Sequence, residues 1–254
     1  MHAERFESAL WQTSSLLLAK DGEAVLVDPC ISTAEVARIA GRAEELGVRV
    51  VAVLATHADW DHVCGMAAFP DAEAVVGEAT AARIESGGPW RRTREAAGEH
   101  CLEVAGPPRV DRKLEVGLAH RVGPFTAETI PLPGHTADGV GYRIRELDLL
   151  AVGDHLSSVE FPFVSSPPAY RATLAALIDL FRRDPPARVV AGHGPEHTAA
   201  GALEIAAADL DYLWRLHDAV LRGAEPPEPP RPCADELQEM LGANVDAQRA
   251  ELAG

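Results

Sequence analysis

The sequence predicts a mixed α/β fold built in two halves. Strand-like and helix-like runs alternate along its 254 residues. In each half, strands lead into a helix and then into a histidine-bearing polar loop, and four such histidines stand at strand exits beside aspartates or glycines. The length suits one large domain or two small ones. Hydrophobic residues at 47% and charged residues at 24% match a folded globular chain, which sets aside disordered and fibrous classes.

The elements follow in order. Residues 15–19 are apolar, Asp21-Gly22 supplies a turn and 24–27 return before Asp28-Pro29 ends the pairing, so this segment reads as a hairpin. Thr33 is placed as the cap of a helix over 33–46 that Gly47 stops, and 49–55 is a run of branched residues suited to a buried strand. That strand empties into Thr56-His57-Ala58-Asp59-Trp60-Asp61-His62, polar where a helix should begin. A short strand over 74–76 and a short helix over 78–84 come next, and 86–108, broken by glycine and proline, reads as a surface insertion. Strand alternation runs over 113–130, halts at Pro131-Leu132-Pro133-Gly134-His135 and resumes over 139–144 and 147–152 as antiparallel strands.

Leu174, Leu177, Ile178 and Phe181 fall at helical spacing, Asp184-Pro185-Pro186 ends that helix, and 188–191 is a strand reaching Gly192-His193-Gly194. A long helix striped by Leu203, Leu210, Leu213, Leu216 and Val220 precedes a proline connector over 225–230, and two short helices, 234–241 and 245–252, follow. Residues 1–222 are read as the core and 223–254 as a connector with C-terminal helices that belong to the same domain or cap it.

Lys+Arg number 23 against 39 Asp+Glu, a net charge of −16, with Lys20 and Lys113 as the sole lysines. Such a field repels nucleic acid and anionic membranes, so neither is expected as a partner. No apolar run approaches the roughly 18 residues of a membrane span, and the opening residues lack a secretory pattern, so the expected location is cytoplasmic. Cys30, Cys64, Cys101 and Cys233 form no C-x-x-C pair and are expected as separate thiols.

The chemistry concentrates in the first histidine loop. His57, Asp59, Asp61 and His62 form H-x-D-x-D-H, four possible ligands within a six-residue stretch. Alternate residues of an extended loop point the same way, so His57 and Asp59 can serve one metal while Asp61 and His62 turn toward another. His135, Asp154 and His193 occupy the other strand exits. No G-x-S-x-G elbow, Walker loop or G-x-G-x-x-G after a strand accompanies them, which leaves serine-hydrolase, nucleotide-hydrolase and dinucleotide-dehydrogenase readings unsupported.

These motifs together resemble those of the metallo-β-lactamase superfamily. Thr56 to Gly65 is similar to its T-H-x-H-x-D-H-x-x-G loop, Pro133-Gly134-His135-Thr136 to its P-G-H-T, Gly153-Asp154 to its G-D, and Gly192-His193-Gly194-Pro195 to its G-H-G-P. The likeness covers about residues 8–200. It implies an αββα four-layer sandwich with a dinuclear site at one edge between two sheets, here followed by a C-terminal helical cap. It also implies His57 and His135 at the first metal, Asp61, His62 and His193 at the second, and Asp154 bridging both. Asp59 stands where most members carry a second histidine. A carboxylate there lowers the Lewis acidity of the first metal and moves its preference from zinc toward iron or manganese. Two divalent ions are therefore expected, zinc first, with iron or manganese as the alternatives that Asp59 raises.

The resemblance implies metal-assisted hydrolysis of an ester, thioester, lactone or similar carbonyl bond of a small molecule. A bridging water would ionise near about pH 7, and Asp61 would orient it. The length and terminal helices resemble the hydroxyacylglutathione hydrolase type. Asp59 motivates a second reading, a non-haem iron oxidoreductase or dioxygenase, and a third is a non-catalytic relative with weakened metal binding. Asp28 resembles the family's supporting aspartate. Cys64 and His155 are read as packing residues, Trp60 as pocket wall or core, His197 and His217 as helix-start and helix-face residues, and the Trp90 to Arg94 cluster as a solvated loop. Residues 86–108, 160–170 and the C-terminal cap are the candidate lids.

Overall fold

The computed structural model describes residues 1–29 and 31–253; the expectation for Cys30 lies outside them. Six strands form the first sheet in chain order: β1 (His2–Glu7), β2 (Ser14–Lys20), β3 (Glu23–Val27), β4 (Arg49–Ala55), β5 (Glu73–Gly77) and β6 (Arg112–Leu114). β1, β2 and β3 pair antiparallel, and β3 through β6 pair parallel. The second sheet runs in the order β11 (Arg188–Val190), β10 (Leu149–Ala151), β9 (Val140–Ile144), β8 (Phe125–Pro131) and β7 (Ala119–Val122). It is antiparallel except where β11 lies parallel to β10.

Strand periodicity creates the layers. Leu16, Leu18, Val25, Val27 and Leu54 point inward and meet Phe125, Tyr142 and Leu149 of the other sheet. Their alternates Leu17, Leu26, Val53 and Val76 face outward beneath Val36, Ile39 and Ala43 of α1 (Thr33–Glu45). On the far side, Leu150 and Val189 are covered by Leu174, Leu177 and Phe181 of α5 (Pro167–Arg183) and by Leu213 and Leu216 of α6 (Ala199–Arg222). The result is the expected αββα sandwich. Tyr142 crosses the interior and donates its hydroxyl to Ala55 O at 2.8 Å, so the one polar atom of that large buried side chain is satisfied.

Several local expectations are corrected. Ser32, not Thr33, caps α1: its hydroxyl accepts from Glu35 N while Glu35 reaches back to Ser32 N, a reciprocal capping box. β1 had no signal, because its residues are half-buried and mixed in polarity; pairing with β2, Glu4 opposite Leu17, is what makes it a strand. The stretch 86–108 contains a helix, α4 (Gly88–Glu99), whose buried stripe of Pro89, Thr93 and Ala96 is too small and polar to register as apolar periodicity. Trp90 and Arg94 thus lie on a helix, where Arg92 pairs with exposed Glu99 at 3.0 Å.

The two C-terminal helices expected are a 3₁₀ turn (Asp235–Leu237) and one helix, α7 (Met240–Ala253). The side chains it buries are polar. Asn244 accepts from Val164 N at 2.9 Å and donates to Pro162 O at 2.7 Å, while Gln248 accepts from Arg171 at 3.2 Å and meets His217 Nδ1 at 3.0 Å. Earlier in this segment, Arg231 pairs with Asp209 of α6 at 2.6 Å and donates to Glu160 O at 2.6 Å. Buried hydrogen bonds, rather than an apolar stripe, dock this end of the chain onto the 160–164 loop. Among the described residues, no helix is long and apolar enough to cross a membrane.

Candidate metal centre

All seven candidate ligands converge at one edge of the sandwich, where strands of both sheets end. His57 and Asp59 leave β4, and Asp61 and His62 occupy the short helix α2 (Trp60–Val63). His135 follows β8, Asp154 follows β10 and His193 follows β11. Their ligand atoms fall in two sets, His57, Asp59, His135 and Asp154 in one and Asp61, His62 and His193 in the other, each within 4.8 Å. Asp154 joins the sets. Its Oδ2 lies 3.5 Å from His57 Nε2 and 3.2 Å from His135 Nε2, while its Oδ1 lies 3.0 Å from His62 Nε2 and 3.4 Å from His193 Nε2.

Every imidazole is oriented from behind. Thr56 Oγ1 donates to Asp28 Oδ2 at 2.7 Å, so at 3.1 Å it accepts from His57 Nδ1. The same Asp28 Oδ2 accepts from His62 Nδ1 at 3.1 Å, and Asp28 Oδ1 holds Thr56 N at 2.7 Å. His135 Nδ1 donates to Phe163 O and His193 Nδ1 to Trp11 O, both at 3.0 Å. With each Nδ1–H committed, a neutral ring presents the lone pair of Nε2 to the centre. Asp28 is thus the supporting aspartate that its position after β3 implied.

The residues fit a pair of cations. His57 Nε2, His62 Nε2 and Asp154 Oδ1 are buried with no hydrogen-bond partner, a costly arrangement that a metal ion would relieve. With Asp59 present, the first set offers two imidazole nitrogens and two carboxylate oxygens. The second, counting Asp154, offers the same. Nitrogen–oxygen sets of this kind hold zinc, iron or manganese.

The electrostatics carry the same sign. Burial disfavours the charged forms of both partners, yet the four imidazoles hold Asp154 well below the usual carboxylate range, and Asp154 in turn raises His57, His62 and His135. His193, although buried, is raised to about 9 by Asp154 and Glu160. In metal-free protein the stability gained from protonated His193 is therefore full below its unfolded value of about 6.5 and lost as pH rises through about 9. A metal ion must displace that proton. Zinc uptake by chelator-stripped protein is expected to release protons between these pH values, with apparent affinity rising with pH across the window. Calorimetric titration in buffers of different ionisation enthalpy counts the protons; an identical heat in every buffer contradicts the assignment.

A cavity of about 150 Å³ opens onto Asp59, Asp61, His135, Asp154 and His193. Trp11, Trp60, Phe163, Leu237 and Met240 supply its apolar wall, so Trp60 serves both core and pocket. One part of this wall, Trp11, had no sequence signal of its own, while Glu160 and Met240 lie in two of the segments read as candidate lids. Trp11 comes from the β1–β2 connection, where Trp11 and Gln12 both take positive φ and turn the Trp11 carbonyl onto His193. Met240 comes from the cap. Glu160 lines the cavity with a carboxyl that burial pushes up to about 7. The remaining candidates are packed as read. His155 stacks on Tyr170 with ring centroids 4.5 Å apart, and its buried ring is pulled down to about 3; Cys64 is fully buried and donates to Ile31 O at 3.3 Å.

Comparison with known proteins decides the family, because the sequence profile of the metallo-β-lactamase superfamily matches residues 9–193, a span that includes all seven of these side chains. The chain belongs to the metallo-β-lactamase superfamily. Among superfamily relatives, it is 27% identical over 214 residues to the hydroxyacylglutathione hydrolase of Jannaschia sp. (strain CCS1), spanning 82% of this chain and 74% of that one. It is 28% identical over 138 residues to the human mitochondrial persulfide dioxygenase ETHE1, spanning 53% of this chain and 43% of that one. The metallo-β-lactamase family protein TTHA1429 of Thermus thermophilus shares the fold, with a TM-score of 0.71 and 20% identity across 99% of this chain and 94% of that one.

Proposed function

We propose that this protein is a metal-dependent hydrolase that cleaves an ester, thioester, lactone or related carbonyl bond of a small molecule. The reading is carried by Asp154, whose two carboxylate oxygens each face a separate pair of histidine nitrogens, the placement of a bridge between two ions. His57, Asp59 and His135 complete the first ligand set, and Asp61, His62 and His193 the second. Zinc is proposed at both positions. Two such cations supply a water that ionises near neutral pH and a Lewis acid for the substrate carbonyl.

The chain's own groups do the rest. Asp61 lines the cavity with its Oδ2 3.4 Å from both His62 Nε2 and His193 Nε2, where it can orient the attacking water and carry a proton toward the leaving group. Trp11, Trp60 and Phe163 hold the acyl part of the substrate and keep bulk water from the reacting carbonyl. The small cavity favours a compact acyl group. The likeness to hydroxyacylglutathione hydrolase supports thioesters as the first substrates to try.

The carboxylate of Asp59 and the likeness to a persulfide dioxygenase favour a second reading, iron-dependent oxidation of a thiol or persulfide. Chelator-stripped protein reloaded separately with Zn²⁺, Mn²⁺ or Fe²⁺ separates the two. Hydrolysis of aryl thioesters, esters or lactones that disappears on stripping and returns with zinc supports the hydrolase. Oxygen uptake with iron and no hydrolysis with any ion overturns it in favour of the oxidoreductase.

A further inference from the structure

The structure pairs the unusual aspartate with a cation from another element. Asp59 divides its carboxylate between two tasks: Oδ1 is held by the Arg83 guanidinium, while Oδ2 turns to the cluster, 3.1 Å from His135 Nε2 and 3.5 Å from His57 Nε2. Arg83 projects from α3 (Glu78–Glu85). Its other terminal nitrogen donates to Asp138 Oδ1 at 2.9 Å. Asp138 is itself buried and clipped in place, its Oδ2 accepting from Ala58 N at 2.8 Å and its backbone carbonyl accepting from Thr80 Oγ1 at 3.0 Å. The ligand loop, α3 and the segment after His135 are thereby fixed to one another around a single guanidinium.

We propose that Arg83 is the positioning residue that lets an aspartate occupy this ligand place, an inference that rests on the dinuclear reading above. Two physical consequences follow from the geometry. One arm of the planar guanidinium takes Oδ1 while the other is anchored on Asp138, which leaves Asp59 a single oxygen for the first metal and keeps it from closing on that metal through both. The guanidinium, shared between Asp59 and Asp138, also offsets part of their charge: the three groups together carry a formal −1, against −2 for the two carboxylates alone. The first metal then retains more Lewis acidity than an uncompensated aspartate would leave it, while the second set keeps the full charge of Asp61. Arg83 therefore tunes which ion the first position prefers.

The test uses full-length protein in four forms: wild type, Arg83→Met, Asp59→His and the double variant. Each is stripped with chelator, equilibrated with equal concentrations of Zn²⁺ and Mn²⁺, and counted by elemental mass spectrometry. Zinc affinity is then measured by competition with a chromophoric chelator. Arg83→Met should change first-position affinity by about 10–100-fold, the usual range for an outer residue supporting a ligand, and shift the bound ratio toward manganese. Asp59→His alone leaves Arg83 with Asp138 as its remaining carboxylate, turns the arm that held Asp59 toward a neutral ligand and makes the surroundings one unit more positive, so it should weaken first-position zinc by a similar factor. The double variant should return to within about threefold of wild type, a rescue that a merely structural role for Arg83 does not give.

Zinc at the second position reports that each variant is folded, and Arg83→Lys, which keeps the charge without the fork, serves if Arg83→Met does not fold. A wild-type count and ratio in Arg83→Met, or a double variant no better than Asp59→His, overturns the proposal while leaving the dinuclear reading intact. A wild type that takes up neither ion overturns the dinuclear reading itself.

Discussion

Replacing Asp154 with alanine is expected to empty both metal positions together, whereas His193→Ala should empty chiefly the second. Asp154 is the sole side chain among the described ligand candidates whose two oxygens face different histidine pairs. Its removal takes one donor from each position and one negative charge from between them. The loss in affinity should exceed the roughly 10–100-fold typical of residues that only support ligands, and hydrolysis should fall to background. Asp154→Asn grades the effect. An amide presents one oxygen and one NH₂ group, so one position keeps a donor and the other faces N–H groups; about one ion per chain is expected. Elemental mass spectrometry of the three variants decides the matter, and two ions retained in Asp154→Ala would remove Asp154 from the bridge.

Gly192→Ala should be nearly as damaging, although glycine offers no ligand. A Cβ at position 192 would collide with Asp154 Oδ1 and sit 2.9 Å from His62 Cε1 and 3.0 Å from the carbonyl carbon of Gly153. Backbone contacts prevent escape: Gly192 N donates to Gly153 O and its carbonyl accepts from Ser14 N, both at 2.6 Å. The methyl group must therefore displace the Asp154 carboxylate or part β10 from β11. Overpacking of this kind costs about 1–3 kcal/mol, and the carboxylate it moves is the one proposed to bridge both ions. Gly41→Ala is the control. It lies inside α1, where an added Cβ meets nothing within 4 Å beyond its chain neighbours and the backbone of its own helix, and should stabilise by about 0.5–1 kcal/mol. Thermal melts and metal counts on the pair test this: a Gly192→Ala protein with two ions and an unchanged melting temperature would show that the site yields where the geometry says it cannot.

The glycine shows how sequence and structure divide the information. Gly192-His193-Gly194-Pro195 stands in the sequence as a motif, but the reason for its first glycine, the space taken by Asp154 from another strand, exists only in the fold. Asp59 divides in the same way. The sequence shows a carboxylate in a histidine's place, and nothing local reveals that Arg83, a helix away, holds one of its oxygens. Glu160 and Met240 reach the cavity because polar bonds from Asn244 and Arg231 seat the C-terminal segment against the 160–164 loop; a helix docked through such bonds carries no apolar stripe to read.

What is encoded locally was legible in the chain before it folded. Alternation gave the strands that face two layers, helical spacing gave α5 and α6, and the loop motifs, each at a strand exit, gave the seven side chains. Three-dimensional packing alone settled which Asp154 oxygen meets which histidine, what compensates Asp59 and what walls the cavity. The difference is one of range. Side-chain periodicity and turn chemistry act over a few residues, whereas ion pairing and cavity shape depend on distances between residues far apart in the chain, which folding alone sets.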